Sequence, residues 1–130
     1  MDIFTKALIV IVGLIHVYFL TQQMLGWDKN REKFKDYTDG KLAKVLAGNQ
    51  GLYNGFLAAG ILWGYFSPAY SLEIWTFFLT FIAIAGIYGS VSLSVGGDKP
   101  SEPRKVYSLA FLFQTIPAAI ALICLWVFRL

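Results

Sequence analysis

Charge is what this sequence has least of. Only 15% of its 130 residues are Asp, Glu, Lys or Arg, whereas 57% are hydrophobic and 17% aromatic. Soluble domains carry roughly 25% charged residues, and a soluble amphipathic helix shows polar residues every turn. Here the charges stand in clusters with long uncharged runs between them, which excludes an ordinary soluble domain. Cysteine is nearly absent: Cys124 is alone, so no internal disulfide forms and no redox compartment is implied. In an apolar run it reads as a small packing residue. Histidine is equally scarce. His16 has no second His, Met pair or carboxylate to join it, so neither a metal centre nor a haem cofactor is expected. The net charge of +3 comes from basic residues beside hydrophobic segments, which fits membrane orientation better than nucleic-acid binding.

What is present is four long apolar segments, at about residues 3–24, 42–66, 74–95 and 106–128. Each exceeds the roughly 20 residues that a bilayer crossing needs. Backbone groups in lipid must bond within the segment, so each crossing is expected to be a helix. The segments are continuous rather than alternating, and too few, which excludes a β-barrel. The expected fold is all-α: a polytopic membrane protein forming a four-transmembrane-helix bundle, with residues 1–130 as one domain. The first segment could serve as a signal peptide, but its start is not strongly basic and no small-x-small site precedes the first loop. With Trp27 as an interfacial anchor, it reads as a retained helix. The connections are a charged loop over 27–41, a tight turn over 67–73 around Pro68, and a turn over 96–105 with Pro100 and Pro103.

Orientation follows from Lys and Arg. The first and third loops hold Lys29, Arg31, Lys33, Lys35, Lys41, Lys44, Lys99, Arg104 and Lys105; the opposite side holds only Lys6 and Arg129. Positive residues stay inside. Both loops are therefore expected in the cytoplasm and both termini outside, in a plasma membrane or cell inner membrane.

Inside the segments acidic groups are missing. All eight Asp and Glu lie in loops or at segment ends, which removes the carboxylate relay of a proton-coupled carrier and the paired carboxylates of many enzymes. What remains is His16 and Gln23 on the first helix, Asn49, Gln50, Tyr53 and Asn54 on the second, Tyr88 on the third and Gln114 on the fourth. At about 100° per residue, His16 and Gln23 share a face and the four groups of the second helix fill an arc of about 140°. Apart from Tyr53, not placed by depth, and Gln23, nearer the surface, they fall at the centre of the bilayer or within about 10 Å on its cytoplasmic side. Such a layer suggests a pocket open towards the cytoplasm. It equally suits a bundle held by interhelical hydrogen bonds, worth about 0.6–2 kcal/mol each, and both readings stay open.

Glycine is plentiful and placed in register. Ala47, Gly51, Gly55 and Ala59 recur every four residues, Gly60 and Gly64 add a further GxxxG, and the third segment carries Gly86 and Gly89. Stripes of small residues let helix backbones approach closely, so the second helix is expected to be central. Pro117 lies mid-segment and cannot donate to the carbonyl of Phe113, which predicts a kink beside Gln114.

The stretch Asn49-Gln50-Gly51-Leu52-Tyr53-Asn54-Gly55-Phe56-Leu57-Ala58-Ala59-Gly60 resembles the signature of a small bacterial membrane-protein family called domain of unknown function 1304. The likeness extends to His16, Met24 and Trp27, to Ala85-Gly86-Ile87-Tyr88-Gly89, and to Gln114 with Pro117-Ala118, and so covers nearly the whole chain. The family commonly carries Glu before its Met-x-x-Trp pattern, where this chain has Gln23. The resemblance implies the fold and no reaction. Three functions follow: a protein binding or transporting a small molecule through the polar pocket, a structural or accessory protein whose polar cluster is glue, and a membrane enzyme with His16 as general acid or base. The enzyme ranks last, since no orienting carboxylate, nucleophile or metal site accompanies His16. The partners expected are the lipid bilayer, a small-molecule ligand and, because four helices are few for a carrier, further copies of the chain.

Overall fold

A computed structural model describes residues 1–30, 41–95 and 110–128, without the side chains of 93–95. The basic residues of the first loop over 31–40, those of the third loop, the expected start of the last segment at 106–109, and Arg129 lie outside the described residues.

Helix α1 spans Ile3–Leu20. Its extended N-cap residue Asp2 accepts the backbone N–H of Thr5 at 2.9 Å, which satisfies a donor that the first turn cannot pair. The helix runs on into a wider π turn, π1 (Thr21–Leu25), closed by Gly26 N–H donating to Thr21 O at 2.7 Å. Short helix α2 follows at Trp27–Asn30. Helix α3 is Lys41–Phe66 and stops before Pro68, which has no N–H and disfavours helix in the residue ahead of it. The turn is closed by Tyr70 N–H to Ser67 O at 3.0 Å. Helix α4 (Ser71–Val95) starts three residues earlier than hydropathy alone places it. Ser71 Oγ reaches Pro68 O at 3.2 Å, and Glu73 in the first turn complements the helix dipole.

The last described segment opens with a second π turn, π2 (Phe111–Thr115), and continues as α5 (Ile116–Val127). Pro117 offers no N–H to the carbonyl one turn back and its ring needs room there. The expected disturbance takes the form of this wide turn just ahead of it, with Ile116 N–H bonding Phe111 O.

Neighbouring helices run antiparallel. Gly13 faces Ile61, Gly55 faces Leu20 and Gly51 faces Met24, so position along α3 falls as position along α1 and π1 rises. The same reversal joins α3 to α4 through Gly60–Phe78 and Gly64–Trp75, and α4 to the last segment through Gly86–Thr115 and Thr76–Trp126. Helix α1 also packs on α5.

This pairing divides the interior into two halves. The first is apolar: Ile9, Val12, Ile61, Trp75, Leu79, Ile82, Ala118, Ala121 and Leu125 form one buried cluster. The second holds His16, Asn54 and Thr115, three of the four buried polar side chains among the described residues. The outside is as apolar as the core, with Ile11, Leu14, Leu52, Phe56, Trp63, Phe81, Ile84 and Ile123 all exposed. So many exposed large apolar side chains are unusual on a water-facing surface and consistent with a membrane surround.

Two helical stretches are long and apolar enough to cross a membrane, Ile3–Leu25 and Ser71–Ser92. Helix α3 has the length, 26 residues, but Lys41, Lys44, Asn49, Gln50 and Asn54 dilute its hydropathy. The described part of the last segment, Phe111–Val127, is shorter than a crossing requires.

Candidate functional site

His16 lies on the inward face of α1 with Ile9, Val12 and Gly13, and is fully buried. Its Nδ1 is 2.8 Å from the carbonyl oxygen of Val12, one turn earlier. A carbonyl only accepts, so Nδ1 carries a ring proton and donates it, which in the neutral imidazole that an uncharged interior favours leaves a lone pair on Nε2. Phe19 stands edge-on to the imidazole, ring centres 5.8 Å apart at 86°. Among the described residues Nε2 has no hydrogen-bond partner, and it is the one buried side-chain nitrogen or oxygen there in that condition.

Asn54 is also buried, on the face of α3 turned towards α1. Its Nδ2 donates to Gln23 Oε1 at 2.8 Å and to Gln50 O at 3.1 Å. The first bond ties α3 to π1. The glycine one turn before Asn54 makes this approach possible: a Cβ on Gly51 would sit 2.9 Å from both the backbone nitrogen and Cβ of Met24. The second π turn has the same arrangement. A Cβ on Gly86 would collide with Thr115 Oγ1, and Thr115 donates to Ala83 O at 3.2 Å. A π turn bulges its backbone outwards, and in both places a glycine receives the bulge. Read across the antiparallel pairs, Gly51 and Gly86 lie at one level. The Gln23–Asn54 pair, π1, π2 and Gln114 therefore share a layer, and His16 is two turns deeper, about 10 Å along α1 from Gln23.

The eight polar residues of the sequence reading thus separate. Gln23 and Asn54 meet; His16 is buried on the same side of α1; Gln114 is half-buried against Gly86. Asn49, Gln50 and Tyr53 are exposed, and Tyr88 is 73% exposed on the outer face of α4. An arc of about 140° is wider than the face a helix turns to its neighbours, so Asn49 and Tyr53, one turn apart, point outwards while Asn54 points in. The small residues separate in the same way. Gly51 and Gly55 meet α1 and π1, Ala47 is half-buried, Ala59 is exposed, and no described atom lies within 4 Å of a Cβ on Gly89. Steps of four residues precess by about 40° each, so a four-residue stripe leaves a straight neighbour within a few steps.

Two interior tethers were not legible in advance. Thr115 binds α4 as described, and the Trp75 indole donates to Ile61 O at 2.9 Å. A threonine beside a proline and a tryptophan between apolar residues carry a weak signal, because either can equally face lipid. At the end of α3 nearest α2, Lys44 Nζ pairs with Asp28 at 2.8 Å, both side chains largely exposed.

Among the described residues no charged side chain is buried at this level, and the chemistry they offer there is that of one imidazole and one amide pair. Among the described residues no three of His, Cys, Asp and Glu gather as metal ligands would. No curated protein and no solved structure matches the chain. From Val10 to Trp126, a stretch that takes in His16, the amide pair, both π turns and Pro117, it matches the family model described as "Protein of unknown function (DUF1304)", and the chain belongs to that family.

Proposed function

We propose that this is a four-span membrane protein whose polar interior binds a small molecule at His16. Support for four spans comes from the outer surface. The two helices below the length or apolarity of a crossing also present lipid-like faces, through Leu52, Phe56 and Trp63 on α3 and Ile120, Ile123 and Val127 on α5. The segments then cross alternately, with the first and third loops in the cytoplasm.

The observation that carries the binding reading is the buried, unpartnered Nε2 of His16. Leaving such a group unpaired costs roughly 1–3 kcal/mol, which an apolar residue in its place would avoid. A second reading, interhelical glue in an accessory protein, draws on Asn54–Gln23, Thr115–Ala83 and Trp75–Ile61, each a satisfied tether between elements. His16 distinguishes the two, because among the described residues it tethers no second element: its one hydrogen bond there is within α1. The test is His16→Phe, with native mass spectrometry and thermal unfolding in mild detergent for both proteins. The binding reading expects a small molecule that co-purifies with wild type and is lost from the variant. The glue reading expects none in either, with a variant at least as stable as wild type.

A further inference from the structure

We infer that the occupant of this site is a neutral hydrogen-bond donor with an apolar body, a hydroxyl- or amide-bearing amphiphile that gives its proton to His16 Nε2. This rests on the binding reading above and narrows it to a ligand class. The tautomer decides the polarity. Val12 O holds the Nδ1 proton at 2.8 Å, so Nε2 presents a lone pair to the interior. A lone pair attracts a donor and repels a carbonyl, a carboxylate or a phosphate oxygen.

The walls decide the body. On its own helix the imidazole is flanked by Val12 and by the edge of Phe19, and one turn away α3 closes on α1, where a Cβ on Gly13 would stand 3.1 Å from Ile61. The nearest polar layer, Gln23 with Asn54, is internally paired. Apolar neighbours around one unpaired polar atom suit a ligand of matching make-up. A single water suits it less: buried waters make about three hydrogen bonds, and Nε2 is the one unpaired buried side-chain atom among the described residues. A metal ion is disfavoured on the same ground, since no further ligating groups are gathered there among those residues.

His16 is the only histidine in the chain, so a histidine-labelled sample gives one pair of ring 15N resonances. The experiment places the labelled, full-length protein in phosphatidylcholine nanodiscs and titrates it with phenol and, separately, with toluene. The two probes have nearly the same shape and differ in the donor. Phenol is expected to move the Nε2 resonance saturably while Nδ1 stays fixed, and toluene is expected to leave both in place. His16→Phe should weaken phenol binding about tenfold, the worth of one hydrogen bond, and leave toluene binding within about twofold. Phenol and toluene binding equally, with no movement of Nε2, would overturn the donor assignment while leaving a small-molecule interior intact. An Nε2 already hydrogen-bonded before any probe is added, and unmoved by phenol, would identify a fixed water and overturn it too. If neither probe binds and nothing co-purifies with the protein, the binding reading itself fails and this inference with it.

Discussion

Asp2 and Thr5 anchor the N-terminal end of α1 through two hydrogen bonds, Thr5 N–H to Oδ1 at 2.9 Å and Thr5 Oγ1 to Oδ2 at 2.6 Å. The Thr5 hydroxyl, then its backbone N–H, hold the Asp2 carboxyl below the usual carboxylate range. A depressed folded-state pKa gives stability that is present above the ordinary carboxylate pKa and lost as pH falls through the lower folded value. The Thr5 amide resonance should therefore stay constant down to mild acid and titrate only below the range of a free aspartate. Asp2→Ala should abolish that titration; an unchanged curve would show that another group is responsible. Asn54 makes a different prediction, because its partners are now fixed. Asn54→Leu strips Gln23 Oε1 of its donor, and the bundle should lose about 1–2 kcal/mol, seen as a lower unfolding temperature in detergent. Unfolding at the wild-type temperature would mean that the amide pair holds nothing together.

At the scale of the helices, the glycines are not equivalent. A Cβ on Gly64 would meet the Trp75 indole, itself fixed by its bond to Ile61 O, and on Gly51 or Gly86 it would meet the backbone of a π turn. Neither obstacle can move far, so each change to Ala should cost about 1–3 kcal/mol by overpacking. Gly55 faces the tip of Leu20 at 3.4 Å, and no described atom lies within 4 Å of a Cβ on Gly89. Their changes to Ala should be nearly neutral. Thermal unfolding of the five single variants checks the order, and a costly Gly89→Ala would contradict the placement of α4. The wide turn ahead of Pro117 is seated on Gly86.

For the molecule as a whole, apolar surface faces outwards and three of the four buried polar groups among the described residues gather in one half. In a lipid surround nothing would drive apolar side chains inwards preferentially, and packing, small residues and interhelical hydrogen bonds would hold such an interior. The excess of Lys and Arg in the first and third loops sets the expected orientation. Reporter domains fused after Gly97 and after Leu130 should read cytoplasmic and external respectively; two readings on the same side would remove a crossing from the topology. The Lys44–Asp28 pair should matter little by comparison. Both side chains are more than half exposed, and such pairs contribute about 0–1 kcal/mol.

Read alone, the sequence determined the helical character of the chain, its membrane-like apolarity, the ends of α3 and of α1 taken together with π1 to within a residue, and the family through the Asn49–Gly60 stretch. These follow from properties carried along one segment: hydropathy, proline positions and the order of residues. It also singled out His16, Gln23 and Asn54. Which polar groups meet was decided only by the tertiary structure. Asn49, Gln50, Tyr53 and Tyr88 look the same as Asn54 in a list of intramembrane polar residues, yet they point away from the interior. A helix supplies every direction around its axis, and the rotation it adopts is set by where its neighbours can approach. That approach was fixed by Gly51, Gly64 and Gly86, and by two π turns that no periodicity of 3.6 residues foretells. The free lone pair of His16 is the same kind of fact. The Nδ1 bond to Val12 O is local, but the absence of a partner for Nε2 depends on what every other helix places beside it.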